Sequence, residues 1–198
     1  MRIVIMADGK GMRWDNHLGI PKHFALVNGE KLISRTIRLL NAHECSHEFE
    51  VIVTSHDKRY EFAGSKRYEP LDNKYEIDRF TAELIQDDMC FLYGDTYYTE
   101  DTLNQILDTE VMDILFFGNR KSIVGIRIKK SEIFKEHLNR VKRLYLAGKI
   151  KQCAGWQVYQ SFVGQGFETP IEIKEKFVLV DDRTTDVNFP CDYEALKL

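Results

Sequence analysis

The sequence has no long apolar run, no excess of positive charge and no closely spaced pair of cysteines. A helix that crosses a bilayer needs about 20 consecutive apolar residues, and no stretch of this chain approaches that length. The formal net charge of −3 argues against a nucleic-acid-binding surface, for which a basic excess is expected. The four cysteines are widely spaced, which gives a zinc site little support and is typical of a reduced compartment. We therefore expect a cytoplasmic protein that neither binds nucleic acid nor inserts into a membrane.

Several other motifs are also missing. The P-loop GxxxxGK[ST] and the GxSxG elbow of serine hydrolases do not occur, and there is no internal repeat or Pro/Ser-rich linker. The apolar run Ile3–Met6 is too short for a signal peptide and is soon followed by Asp8, so it is better interpreted as a buried first strand. At 198 residues the chain is long enough for one domain with a three-layer core. We predict a single domain over residues 1–198.

Short apolar runs alternate with helical spacings over the first 120 or so residues. The runs are Ile3–Met6, Val51–Val53, Met89–Tyr93 and Ile114–Phe117. Helical spacings occur over residues 32–43, from about Ile77 to Gln86, and over 103–107. In the second of these, we expect Phe80, Leu84 and Ile85 on the buried side. This alternation is typical of an α/β sheet with helices on both faces.

The pattern is less regular beyond residue 120. It indicates strands at Ile123–Ile128 and Phe177–Val180 and helices over residues 134–145 and 155–163. We predict a three-layer α/β/α Rossmann-like sheet, mostly parallel, with a mixed C-terminal part.

A glycine-containing loop follows the first predicted strand. Gly9 and Gly11 let backbone N–H groups approach phosphate oxygens, and Arg13 and Lys22 supply positive charge for a polyphosphate. The alternative is that the glycines make a tight turn and the two cations are solvated. Ligands of open α/β sheets bind beyond the carboxyl ends of the strands, which favours the phosphate interpretation.

Two later segments place oxygen-bearing side chains near strand ends. Asp95 follows Gly94 at the end of a buried run, where a carboxylate is suited to hold Mg²⁺, although it could instead cap a helix near Thr99–Asp101. Asp186 and Asn188 alternate in an extended stretch and so share a side, which suits a metal site. The alternative is that Asp186 and Asn188 only stabilise a turn before a C-terminal helix. Asp192 is better explained as a residue that caps the start of that helix.

In this order, the segments resemble the nucleotidyltransferases of the GT-A-like fold. The match comprises the Gly9-x-Gly11-x-Arg13 loop with Pro21-Lys22, the Gly94-Asp95 strand end and the late Asp186-Val187-Asn188 element. The group includes sugar-phosphate nucleotidylyltransferases, phosphocholine cytidylyltransferases and molybdenum-cofactor guanylyltransferases. The resemblance spans nearly the whole chain.

The resemblance implies a role for each matching position. The implied nucleotide-binding residues are Ala7, Asp8, Gly9, Lys10, Gly11, Asn73 and Gly94. Arg13 and Lys22 would be catalytic by neutralising the phosphates, and Asp95, Asp186 and Asn188 would hold Mg²⁺ or Mn²⁺. Asp8 departs from the family, which keeps a small residue there; a carboxylate beside a triphosphate is repulsive unless it faces the base or a metal.

The implied activity is transfer of a nucleoside monophosphate from an NTP, with CTP preferred, to a phosphorylated small molecule, releasing pyrophosphate. A sugar phosphate and phosphocholine both fit as acceptors. Residues 1–120 would bind the nucleotide, and 121–198 would bind the acceptor and complete the metal site. A GT-A glycosyltransferase and a catalytically silent nucleotide-binding protein are the alternatives, and the sequence leaves a homodimer open.

Overall fold

The computed structural model describes residues 1–196, which contain a seven-stranded sheet, two small two-stranded sheets and five α-helices. The strands are β1 Arg2–Met6, β2 Leu26–Val27, β3 Glu30–Lys31, β4 Glu50–Thr54, β5 Lys66–Tyr68, β6 Met89–Tyr93, β7 Thr96–Tyr97, β8 Ile114–Gly118, β9 Ile123–Ile128, β10 Phe177–Leu179 and β11 Thr185–Asp186. The helices are α1 Leu32–Ala42, α2 Glu100–Asp108, α3 Ser131–Leu146, α4 Gly155–Phe162 and α5 Pro190–Leu196.

The large sheet is mostly parallel. Its strand order is β10-β8-β9-β6-β1-β4-β5, and β9 alone runs antiparallel to its two neighbours. The carboxyl ends of the other six strands therefore lie along one edge. The predicted mostly parallel sheet with a mixed C-terminal part is confirmed.

Helices cover both faces of this sheet. Successive residues of a strand point to opposite faces, so Ile3 and Ile5 of β1 enter one apolar cluster and Val4 and Met6 enter the other. The first cluster is completed by α1 and α2, and the second by α3 and α4. Each layer buries apolar surface, and the predicted three-layer arrangement is confirmed.

Residues 77–86 do not form the α-helix that their spacing predicts. They belong to two 3-10 turns, Glu76–Phe80 and Ala82–Leu84, separated by Thr81 at φ 37°. A residue in the left-handed region interrupts the α-helical ladder. The side chains predicted to be buried there, Phe80, Leu84 and Ile85, are buried. Apolar spacing identified the inward-facing side chains but not the hydrogen-bonding pattern of the backbone.

The remaining predicted elements are present to within a few residues. Within residues 1–196, no helix has the length and apolar character needed to span a bilayer. All four cysteines, which lie in that range, are free.

Candidate functional site

Three segments that are distant in sequence meet at the carboxyl edge of the sheet. Strands β1 and β6 are parallel neighbours with Met6 opposite Tyr93, so the loop after β1 lies beside Asp95. Strand β11 pairs with β7, with Asp186 opposite Thr96, and the Val187 amide donates to the Asp95 carbonyl at 2.7 Å. The pairing of two very short strands thus brings a second carboxylate to the end of β6.

Lys22 and Asp95 form a buried ion pair. The Lys22 Nζ donates to Asp95 Oδ2 and, at 3.2 Å, to Asn188 Oδ1. The two charged side chains are only 10% and 11% exposed. Burial alone would raise the pKa of Asp95, but the charge and hydrogen bond of Lys22, together with the charge of Arg79, outweigh it and hold that pKa below its usual value. Asp95 is therefore ionised.

Asn188 connects this pair to two further residues. Its Oδ1 also accepts from Arg13 Nη2 at 2.7 Å, and its Nδ2 donates to Asp186 Oδ2. The other Asp186 oxygen accepts from Ser122 Oγ at 2.6 Å. Arg13, Lys22, Asp95, Asp186 and Asn188, which the sequence places far apart, form one hydrogen-bonded network.

The N-termini of α2 and α5 are capped by residues outside this network. Thr99, not Asp95, caps α2 by accepting from the Thr102 amide at 3.1 Å, so the capping alternative for Asp95 is wrong. Asp192 accepts from the amides of Asn188 and Phe189, as its capping explanation predicts.

The glycine loop after β1 is tied to the neighbouring elements. His56 lies just beyond the end of β4. Asp8 Oδ1 accepts a hydrogen bond from the His56 backbone amide at 3.0 Å, and Asp8 Oδ2 lies 2.7 Å from His56 Nδ1. The Asn73 amide group donates to the Asp8 carbonyl at 3.0 Å. The carboxylate of Asp8 is thus committed to His56, and Asn73 supports the loop through its backbone.

Glycine is required at two positions of the site, each for a different physical reason. Gly11 has φ 60°, in the region that favours glycine. A Cβ on Gly94 would lie 2.9 Å from the Met6 carbonyl oxygen, so glycine allows the ends of β1 and β6 to approach each other. Ala7 is buried beside this contact, whereas the side chain of Lys10 is exposed.

A cleft of about 470 Å³ lies above this network. Its cationic side chains are Lys10, Arg13, Lys22, Arg79 and Lys121, and its carboxylates are Glu76, Asp95 and Asp186. Arg79, Lys121 and Glu76 were not identified from the sequence, because their segments carry no motif. Trp156 of α4 also lines the cleft. The cleft has an excess of positive charge in a chain whose net charge is −3.

His23 is buried beside the ion pair. Its Nδ1 lies 2.7 Å from the Tyr60 hydroxyl, and burial lowers the pKa of His23 to about 4. The ring is therefore neutral at physiological pH and adds no charge to the cleft.

The sequence His43-Glu44-Cys45-Ser46-His47 has the H-E-x-x-H spacing of zinc peptidases, which requires a helix. Here it starts after α1 ends and enters the 3-10 turn Ser46–Glu48. His43 Nε2 lies 3.0 Å from Asp108, and the side chain of His47 is 77% exposed. No three His, Cys, Asp or Glu side chains within residues 1–196 are grouped to hold a metal ion. This segment is not a zinc site.

No protein-family model matches the chain, and no curated protein sequence matches it. Solved structures do match over nearly its full length. The CTP:phosphocholine cytidylyltransferase of Streptococcus pneumoniae is 12% identical with a TM-score of 0.60, covering 99% of this chain and 96% of that one. A putative glucose-1-phosphate thymidylyltransferase of Bacillus anthracis is 11% identical with a TM-score of 0.64, covering 99% and 93%.

A third similar structure is the 2-C-methyl-D-erythritol 4-phosphate cytidylyltransferase of Thermus thermophilus. It is 14% identical with a TM-score of 0.58, covering 99% of this chain and 96% of that one. All three are nucleotidyltransferases, and the chain has the fold that they share.

Proposed function

We propose that the protein transfers a nucleoside monophosphate from an NTP to a phosphorylated small molecule and releases pyrophosphate. The observation that carries the proposal is the network of Arg13, Lys22, Asp95, Asp186 and Asn188 at the carboxyl edge of the sheet. It combines cations for phosphate with carboxylates for a divalent ion, which is the pairing that a nucleoside triphosphate needs.

The charge of the cleft supports an anionic substrate. Lys22 is paired with Asp95, but Arg13 contacts only a neutral amide oxygen and a phenyl ring within the described residues. Its guanidinium therefore retains its full charge and several free donors. A cleft with low-dielectric walls concentrates such a field and attracts anions.

A divalent metal, Mg²⁺ or Mn²⁺, is part of this proposal. Two carboxylates and one amide oxygen are hard oxygen donors of the kind that Mg²⁺ prefers, and Mg²⁺ usually takes substrate phosphates and water as its other ligands. Asp95, Asp186 and Asn188 fit this chemistry, since a cation, the Lys22 ammonium, already lies between two of them. A bound ion would supply charge to neutralise the phosphates.

The chain's own residues would act mainly by positioning and by charge. The proposed reaction is attack of an acceptor phosphate oxygen on the α-phosphorus in line with the departing pyrophosphate, which requires no covalent enzyme intermediate. Arg13 and Lys22 would stabilise the charge that develops on the phosphoryl oxygens. The loop from Ala7 to Gly11 would contact the nucleotide. Asp8 does not oppose this, because its carboxylate is directed to His56.

CTP is our preferred donor. A cytidylyltransferase acting with phosphocholine and one acting on 2-C-methyl-D-erythritol 4-phosphate are among the similar structures, as is the inositol-1-phosphate CTP transferase of T. maritima. These proteins also support a phosphorylated small molecule as the acceptor.

Pyrophosphate release tests the proposal. Each of the four NTPs would be combined with Mg²⁺ and a panel of phosphorylated acceptors that includes sugar 1-phosphates and phosphocholine. We expect release that requires one NTP and one acceptor together. Consumption of a nucleotide-sugar instead would indicate a GT-A glycosyltransferase, and nucleotide binding without release from any pair would indicate a silent binding protein.

A further inference from the structure

Arg79 lies in the cleft but belongs to none of the three segments with recognisable motifs. Its guanidinium stands over the glycine loop, where a Cβ on Gly9 would be 3.6 Å from Arg79 Cζ. Its side chain is 28% exposed, so it is largely enclosed by the walls of the cleft. A charge in this position acts on whatever occupies the loop.

The guanidinium has no hydrogen-bond partner within residues 1–196. Its nearest carboxylate oxygen belongs to Glu76, at 3.7 Å, which is beyond hydrogen-bond distance. A guanidinium carries five N–H donors in a planar fork, and the geometry of that fork matches two oxygens of a phosphate. The donors of Arg79 are thus available to a ligand.

The backbone that carries Arg79 is firmly held. On either side, Asp78 and Phe80 are buried, and the Phe80 ring packs edge-on against Phe91 and Phe134 at 5.3 and 5.4 Å. Asp78 accepts from the Tyr75 amide and from Lys142 Nζ, both at 2.7 Å. Because its neighbours point inward, Arg79 is presented to the cleft on a fixed support, which lowers the entropic cost of binding a ligand.

We propose that Arg79 binds a phosphate group of the substrate over the glycine loop. This proposal rests on the proposed function. It adds a phosphate-binding cation from the segment before β6 to Arg13 and Lys22 of the N-terminal segment. The phosphate could belong to the nucleotide or to the acceptor, since the same bidentate contact serves either.

The test compares Arg79→Gln and Arg79→Lys with Arg140→Gln. Arg140 is an exposed residue of α3 that packs over Phe167, and it does not line the cleft. Isothermal titration of the full chain would use tripolyphosphate, CTP, phosphocholine and glucose 1-phosphate, each with Mg²⁺. Thermal melting would verify that every variant is folded.

If the phosphate is the nucleotide's, Arg79→Gln weakens tripolyphosphate and CTP binding by about 10-fold or more. If it is the acceptor's, the same loss appears for the phosphorylated acceptor and not for CTP. Arg79→Lys retains part of the affinity because it keeps the charge, and Arg140→Gln has no effect.

Wild-type affinity for all ligands in a folded Arg79→Gln variant would overturn the role of Arg79 and leave the proposed function standing. A wild-type chain that binds none of the four ligands would overturn both.

Discussion

At the scale of single residues, the site depends on mutual neutralisation of buried charge. Lys22 and Asp95 are both almost fully buried, and neither would be retained charged in that position without the other. Asn188 extends the pair by offering its amide oxygen to two cations and its amide hydrogens to Asp186. Loss of either partner would leave an uncompensated charge in the protein interior, so the network has a structural role as well as forming the wall of the cleft.

Replacing Lys22 by Met should destabilise the protein by about 3 kcal/mol, because it leaves the Asp95 carboxylate buried without its cation. The free energy of unfolding in urea measures this. Adding Asp95→Asn to Lys22→Met should recover part of the loss, since the double variant no longer buries an unpaired charge. A double variant whose loss equals the sum of the two single losses would show that the residues do not interact.

His23 should make stability depend on pH. Burial lowers its pKa from 6.5 to about 4, so the unfolded chain binds more protons than the folded chain between these values. Stability from this group is complete above pH 6.5 and decreases as the pH falls towards 4, by up to about 1.4 kcal/mol per unit. Unfolding free energies at about pH 7.5 and pH 5 would show the loss, and His23→Asn should show less of it. Equal pH slopes for the two proteins would contradict the assignment.

At the scale of elements, strand register brings the site together. The end of β1 and the end of β6 are adjacent because Met6 pairs with Tyr93, and β11 adds Asp186 by pairing with β7. The three segments were identified from the sequence because apolar runs mark buried strands and parallel strands share an edge. The pairing of β7 with β11 could not be predicted from the sequence, since two-residue strands leave no periodic pattern.

Gly94→Ala should disturb this junction. Its Cβ would lie 2.9 Å from the Met6 carbonyl oxygen, so β1 and β6 would have to separate where the loop and Asp95 meet. We expect a loss of about 1–3 kcal/mol in stability, measured by urea unfolding. Gly166→Ala is the matched control, because its nearest neighbour would be at 4.0 Å and its backbone is unstrained. Equal stability of the two variants would contradict the account of this junction.

At the scale of the whole molecule, the sequence predicted the layers and the strand-end residues but not the far wall of the cleft. Alternating apolar runs and spacings report which side chains are buried, which is why the three-layer sheet could be predicted. Arg79 and Lys121 reach the cleft only through tertiary packing of irregular segments, a 3-10 turn and the connection between β8 and β9. In residues 77–86, likewise, the buried side chains could be predicted from the sequence but the 3-10 backbone conformation could not.

The excess of positive charge in the cleft is also a property of the whole fold. The net charge of the chain is −3, and nothing in the linear order of charges shows that five cations converge on one edge. This convergence favours an anionic ligand, and it links the shape of the sheet to the proposed reaction.

The most direct test of nucleotidyl transfer is the rate of pyrophosphate release by the Asp95→Asn variant, with the NTP, acceptor and Mg²⁺ that support the wild-type reaction. Asp101→Asn, at an exposed position of α2, is the control. We predict that Asp95→Asn folds and releases pyrophosphate at least about 100-fold more slowly, because a proposed metal ligand is lost, while the control keeps the wild-type rate. Release by folded Asp95→Asn at the wild-type rate would contradict the account.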